Sequence, residues 1–159
     1  MWPENITKYL LSKQPNSDIE RIDIAPNMVK LAKQNNSKAS FYEMDIRSIN
    51  TLKTNYDGII CGFGLPYLSK KDCNQLIQSC FNLLKPIGIL YISFVEGDYK
   101  DSSYISGNTG DKLFLYYHNL EYLKQLLAKH NFHLTNILYV DYLKNSLTKE
   151  VHTILIAKK

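Results

Sequence analysis

The segment Ile19-Glu20-Arg21-Ile22-Asp23-Ile24-Ala25-Pro26-Asn27-Met28 constrains the fold more than any other. An apolar strand ends on an acid and turns at once into a helix, with Pro26 in the first turn, where a missing N–H costs nothing. A carboxylate just past the carboxyl end of a parallel strand can accept hydrogen bonds from the two hydroxyls of a ribose, and open α/β sheets bind ligands at that edge. Asp23 therefore reads as the acid of a nucleoside site. Such an acid normally follows an earlier strand and a glycine-rich turn, and residues 1–18 hold neither. The sequence is expected to start after that first strand.

Downstream, strands and helices alternate. Ile6–Leu11 reads as helix, Ile19–Ala25 as strand, Pro26–Gln34 as helix, and Ser40–Met44 as a short strand reaching Asp45. Tyr56–Gly62 carries the run Gly58-Ile59-Ile60-Cys61 and is expected to be buried on both faces, as parallel strands are. Asp72–Leu84 has apolar residues at helical spacing, Lys85-Pro86-Ile87-Gly88 ends it, and Ile89–Val95 is the next strand. Glu96–Asp111 is polar, holds Gly97, Gly107 and Gly110, and reads as a long loop poised as a lid. Leu120–His130 is an amphipathic helix, followed by strands at about Leu134–Tyr142 and Val151–Ala157 around the turn Asn145-Ser146. The order predicts an α/β, doubly wound, mostly parallel sheet with an antiparallel strand near the C-terminus.

A chain of 159 residues, 45% of them hydrophobic, is large enough for one core, so residues 1–159 are expected to form a single domain. Its 19 basic and 15 acidic residues are interspersed, which predicts solvated faces and no nucleic-acid partner. Cys61, Cys73 and Cys80 form no CxxC pair, which suits a reducing cytoplasm, and the last two share one helix face. No apolar run approaches the ~18 residues of a membrane span. His130, His133 and His152 have no metal-ligand spacing with the cysteines, so no metal is expected.

Four segments in order, Ile22–Met28, Met44-Asp45-Ile46-Arg47, Tyr56–Phe63 and Leu83–Leu90, resemble the class I S-adenosylmethionine-dependent methyltransferases, and the resemblance covers nearly the whole chain from Asn5 onward. It implies a Rossmann-like fold that transfers a methyl group from S-adenosylmethionine to a small-molecule acceptor. Asp23 would hold the ribose hydroxyls with Ile24 beside it. Asp45 would accept from the adenine amino group, and the Ile46 N–H would meet a ring nitrogen. Gly62 and Phe63 would lie under the methionine moiety. The sequence departs from the pattern at Glu4, where a glycine is expected, at Arg21, where glycine is common, and at Ala25, where a capping Ser or Thr is usual.

Without a first strand, Ile19–Ala25 is expected to pair directly with Tyr56–Gly62, or else a second copy covers the exposed edge to give a homodimer. The missing turn also predicts weak cofactor binding by this chain. Its alternative role is a non-catalytic domain that has lost the cofactor and acts by binding a partner. Methyl transfer from a sulfonium needs mainly a positioned nucleophile, with a base only for a protonated acceptor. The catalytic candidates are His118, in Tyr116-Tyr117-His118, and Glu96, at a strand end. Tyr99 and Tyr104 could close over the acceptor.

Overall fold

A computed structural model describes residues 4–106, 112–143 and 149–159. Gly107, Gly110, the turn at Asn145-Ser146 and the side chain of Glu4 lie outside that description. The chain divides into two compact units, Met1–Ile49 and Asn50–Lys159.

The first unit contains α1 (Glu4–Lys13), β1 (Glu20–Asp23), α2 (Pro26–Asn35) and β2 (Ser40–Glu43), then a 3-10 turn over Ile46–Thr51. β1 and β2 pair in parallel from Glu20 opposite Ser40 to Asp23 opposite Glu43, joined by α2 as a crossover. Val29 and Ala32 of α2 pack with Phe41 of β2 in a small core. α2 has no side-chain cap at Ala25, the residue that replaces the usual hydroxyl. The upstream acid partly compensates, because Asp23 Oδ1 accepts the Ala25 N–H at 3.0 Å.

The expected ladder between Ile19–Ala25 and Tyr56–Gly62 is absent among the described residues: β1 is hydrogen-bonded to β2 and lies in a separate two-stranded sheet. Only four residues, Glu20–Asp23, take up strand pairing, and three of them are charged. That composition gives little apolar surface with which to bind a second strand.

The second unit holds β3 (Tyr56–Gly62), α3 (Lys70–Leu83), β4 (Leu84–Val95), β5 (Ser103–Ser106), β6 (Lys112–Leu115), α4 (Leu120–Lys129), β7 (His133–Leu143) and β8 (Lys149–Lys158). Its main sheet has the order β3-β4-β8-β7, with β3 parallel to β4 and β8 antiparallel to both its neighbours. The core face of β4 is Leu90, Ile92 and Phe94, at most 1% exposed; α3, with Cys73, Leu76, Ile77, Cys80 and Leu83 buried, packs on β4, and α4, with Leu123, Leu126 and Leu127 buried, packs on β7 and α3. Cys61, Cys73 and Cys80 are thus all part of the core. Burial pushes the Cys61 thiol up to about 11 and Cys73 to about 12, which keeps both neutral.

α3 starts at Lys70, two residues before the expected Asp72. Ser69 and Asp72 form a reciprocal capping box: the Asp72 N–H donates to Ser69 Oγ at 3.2 Å, and the Ser69 N–H donates to Asp72 Oδ2 at 3.1 Å. β4 begins directly at Leu84 through Ile87, at φ 65°, and Gly88. A Cβ on Gly88 would lie 2.9 Å from the Lys85 carbonyl and 3.2 Å from that of Asp57, so only glycine fits between the two strands.

Two expectations change here. β3 is not buried on both faces: Cys61 is buried, yet Ile60 is 44% exposed, and among the described residues its single ladder partner is β4. Nor is Glu96–Asp111 a plain loop. A 3-10 turn over Tyr99–Asp101 leads into an antiparallel hairpin that pairs Ser103–Ser106 with Lys112–Leu115. Among the described residues no helix is long and apolar enough to cross a membrane, and no cluster of His, Cys, Asp or Glu could hold a metal.

The C-terminal residue closes the end of α3. Lys159 Nζ donates to the carbonyls of Phe81 at 2.6 Å and Leu84 at 2.7 Å and lies 4.5 Å over the Phe81 ring. A cation there meets the negative end of the helix dipole. Lys159→Met should lower stability by about 1–2 kcal/mol, since hydrogen bonds to a charged group contribute roughly that much. Urea unfolding of the two proteins measures it, and equal midpoints would show that water replaces the ammonium without cost.

Candidate active site

Parallel pairing of β1 with β2 places the carboxyl ends of both strands on one edge. The Met44 N–H donates to the Asp23 carbonyl at 3.1 Å, so Asp23 and Asp45 stand at neighbouring strand ends, each followed at once by a helical turn. Asp23 is half-buried, and its Oδ2 has no partner among the described residues. Arg21, two residues back along the same strand face, has its guanidinium pKa lowered by burial and partly restored by Asp23. Asp45 accepts the Arg47 N–H on Oδ1 at 2.8 Å and the Arg47 guanidinium on Oδ2 at 2.9 Å. Ile24 beside Asp23 is 64% exposed, an apolar side chain held in solvent at the ligand edge. The first unit therefore brings together Asp23, Ile24, Asp45 and Ile46.

Gly62 and Phe63 end β3 in the second unit. Phe63 has φ 54°, a left-handed conformation uncommon outside glycine, and such strain gathers at functional sites. Its N–H donates to both the carbonyl and the hydroxyl of Ser93, at 3.1 and 3.3 Å, and its ring packs edge-on to His152 at 4.5 Å. The conformation is thus fixed from the neighbouring strand. A cleft of about 210 Å³ between Asn50–Asn55 and Ser79–Leu83 opens beside the amino end of β3, away from this edge, and is not the site.

The two catalytic candidates lie close together in chain geometry, since Glu96 and His118 form an isolated parallel bridge in which the Gly97 N–H donates to the His118 carbonyl. Both side chains hold structure. Glu96 Oε1 accepts the Leu120 N–H at 3.1 Å and, with Asn119 capping Tyr122, starts α4. His118 is 2% exposed, with Nε2 at 2.9 Å from the Leu68 carbonyl, 3.2 Å from that of Leu65 and 3.6 Å from Cys73 Sγ. Because carbonyls only accept, the Nε2 carries the proton, which leaves Nδ1 as a buried acceptor with no partner among the described residues. Burial lowers the imidazole pKa, the two carbonyls raise it in part, and nearby Lys70 lowers it further.

Several site residues were not singled out from sequence. Lys70 lies over two rings, 4.6 Å from the centroid of Tyr99 and 5.1 Å from that of Tyr122. Tyr116 stacks on Tyr99 at 5.9 Å, and Phe114 joins Tyr116 to Tyr104 of the hairpin. Tyr99 and Tyr104, read as closing over an acceptor, are thus members of one aromatic row. Only the clustering of tyrosines from 99 to 122 hinted at it.

Residues 5–88 match the sequence family described as Methyltransferase domain. The chain belongs to the class I S-adenosylmethionine-dependent methyltransferase family. Within it, the chain is 35% identical over 75 residues to the phosphoethanolamine N-methyltransferase of Plasmodium falciparum, a stretch that covers 45% of this chain and 28% of that protein. The chain therefore matches little more than a quarter of that relative's length. Solved methyltransferases share the fold at low identity. A SAM-dependent methyltransferase from Methanosarcina mazei superposes with a TM-score of 0.80 at 18% identity, over 96% of this chain and 86% of that one. The 1,6-didemethyltoxoflavin-N1-methyltransferase of Burkholderia thailandensis, solved with 1,6-didemethyltoxoflavin and S-adenosylhomocysteine, gives 0.70 at 18%, over 96% and 65%.

The cofactor of this methyltransferase family is S-adenosylmethionine, and the acids present suit its nucleoside. Asp23 keeps one carboxylate oxygen unengaged among the described residues, and the Asp45 carboxylate has about four lone-pair sites, of which Arg47 occupies two.

His118 also sets a pH dependence for this methyltransferase domain. Its folded pKa lies below the ordinary 6.5, so between the two values the unfolded chain binds more protons. Stability is then fully present above about 6.5 and falls as pH drops through the folded value. The urea midpoint should decline from pH 7.5 to 5.5, and His118→Gln should flatten the decline while lowering the midpoint at pH 7.5. An unchanged slope in the variant would assign the decline to other groups.

Proposed function

We propose that the chain transfers a methyl group from S-adenosylmethionine to a small-molecule acceptor. The observation that carries this reading is the placing of Asp23 and Asp45 at adjacent parallel strand ends, inside the segment that matches the family. Asp23 and Ile24 would hold the ribose, and Asp45 and Ile46 the adenine. When bound, the cofactor supplies a sulfonium methyl group open to attack by a nucleophile.

The chain's own part is positioning. His118, enclosed between two carbonyls and Cys73, is not placed to take a proton from an acceptor, and Glu96 has one carboxylate oxygen engaged at the start of α4. The acceptor atom then reaches the methyl group already deprotonated or neutral, and orientation supplies the rate. Two relatives, an N-methyltransferase of phosphoethanolamine and one crystallised with 1,6-didemethyltoxoflavin, support a small acceptor.

A second reading, a domain of this fold that binds a partner without catalysis, is favoured by the same engagement of Glu96 and His118. Titration of the isotope-labelled chain with S-adenosylmethionine, followed by NMR, separates the two. We expect saturable shifts at Asp23, Ile24 and Asp45, and a dissociation constant at least tenfold higher in Asp23→Ala, about 1.4 kcal/mol. A chain that shows no saturable shift, or binds equally well without the Asp23 carboxylate, is not using this edge for the cofactor.

A further inference from the structure

We propose that Lys70, held on the faces of Tyr99 and Tyr122, anchors the methyl acceptor, and that this acceptor carries an anionic oxygen group, a carboxylate or a phosphate, that pairs with the Lys70 ammonium. The inference rests on the methyl-transfer reading and adds the substrate class to it.

Three lysines of this unit are held by carboxylates. Lys85 meets Asp57 at 2.8 Å, Lys124 meets Glu121 at 2.9 Å, and Lys100 meets Asp98 at 3.0 Å, so each is neutralised by a carboxylate. Lys70 is held by two ring faces instead, at 4.6 and 5.1 Å. A ring attracts an ammonium through its quadrupole but brings no negative charge. Lys70 is therefore oriented without being neutralised. Asp98, the acid whose field reaches it, is engaged by both the N–H and the Nζ of Lys100.

The cage is also braced. The Tyr122 hydroxyl donates to the Lys70 carbonyl at 3.0 Å, which ties one ring to the first residue of α3, and Tyr116 stacks on Tyr99. The ring faces are thus in place before any ligand arrives, and a preformed site favours binding. Its place supports a ligand as well. Lys70 follows the carboxyl end of β3 and Tyr99 follows that of β4, the edge at which open α/β sheets take ligands.

A second observation is independent of Lys70. The ring of His118 lies 5.8 Å from Tyr99 and 5.9 Å from Tyr122, and its buried Nδ1 is an acceptor without a partner among the described residues. Buried acceptors are rarely left so. The imidazole is enclosed, so it backs the two tyrosines from inside the fold, and a ligand would meet the Lys70 ammonium.

The test uses the whole chain without cofactor, so its result does not depend on S-adenosylmethionine binding. NMR titrations with inorganic phosphate and with acetate, against chloride at matched ionic strength, should give saturable millimolar shifts at Lys70 and Tyr99 for at least one of the two, and the stronger identifies the group. Lys70→Gln and Tyr99→Leu should weaken binding fivefold or more. Lys70→Arg, which keeps the charge over the ring faces, should stay within twofold and show that the losses are not unfolding. Equal binding by Lys70→Gln, no saturable shift with either anion, or saturable binding of tetramethylammonium to Lys70→Gln in place of anion binding to the parent would overturn the proposal. Anion binding by a chain that fails to bind S-adenosylmethionine would retain the anion site and remove its role as an acceptor anchor.

Discussion

Burial of Leu90, Ile92 and Phe94 on β4 is the interaction on which the second unit depends. Each side chain, at most 1% exposed, contributes on the order of 1.5–3 kcal/mol. β4 is hydrogen-bonded along both edges, to β3 and to β8, so its carboxyl end has little freedom. Within the second unit, three contacts depend on that end. Ser93 fixes the backbone of Phe63, Glu96 starts α4, and Tyr99 meets Lys70. Gly88, where no side chain fits, holds the same strand at its other end.

A residue type that signals chemistry can serve the scaffold instead. Histidine and glutamate beside a strand end invite an acid–base reading, yet here the imidazole joins the loop after β3 to the start of α4, and the carboxylate begins that helix. The result is a rigid edge from which the aromatic row projects. For a reaction whose main demand is orientation, rigidity of this kind is a contribution in its own right.

What could be read from the sequence was whatever local pattern determines. The β-acid-α signature at Asp23, the short strand before Asp45 and the spacing of Leu76, Ile77, Cys80 and Leu83 each depend on neighbours a few residues away, and each was found in place. Ser69 and Asp72 were equally legible as a capping box and would have set the start of α3 correctly. The hairpin of β5 and β6 was not legible. Its strands have four residues each, such pairs are marginal alone, and its support comes from Phe114 on Tyr116 and Tyr116 on Tyr99. The burial of His118 was hidden for a similar reason, since its partners Leu65, Leu68 and Cys73 lie 45 to 53 residues earlier.

The two short parallel pairs differ in how they end. β1 exposes an edge of four residues carrying Glu20, Arg21 and Asp23, a length and charge that discourage a foreign strand from adding to it. β3 is different: seven residues, apolar from Gly58 to Cys61, with Ile60 44% exposed and ladder bonds to β4 alone among the described residues. Short, uncharged, β-branched runs of this type template intermolecular pairing, so in concentrated solution or during refolding β3 is the segment from which aggregation would nucleate. A charged residue at Ile60 would act there as a gatekeeper, outside the hydrophobic core and away from the strand end where ligands bind.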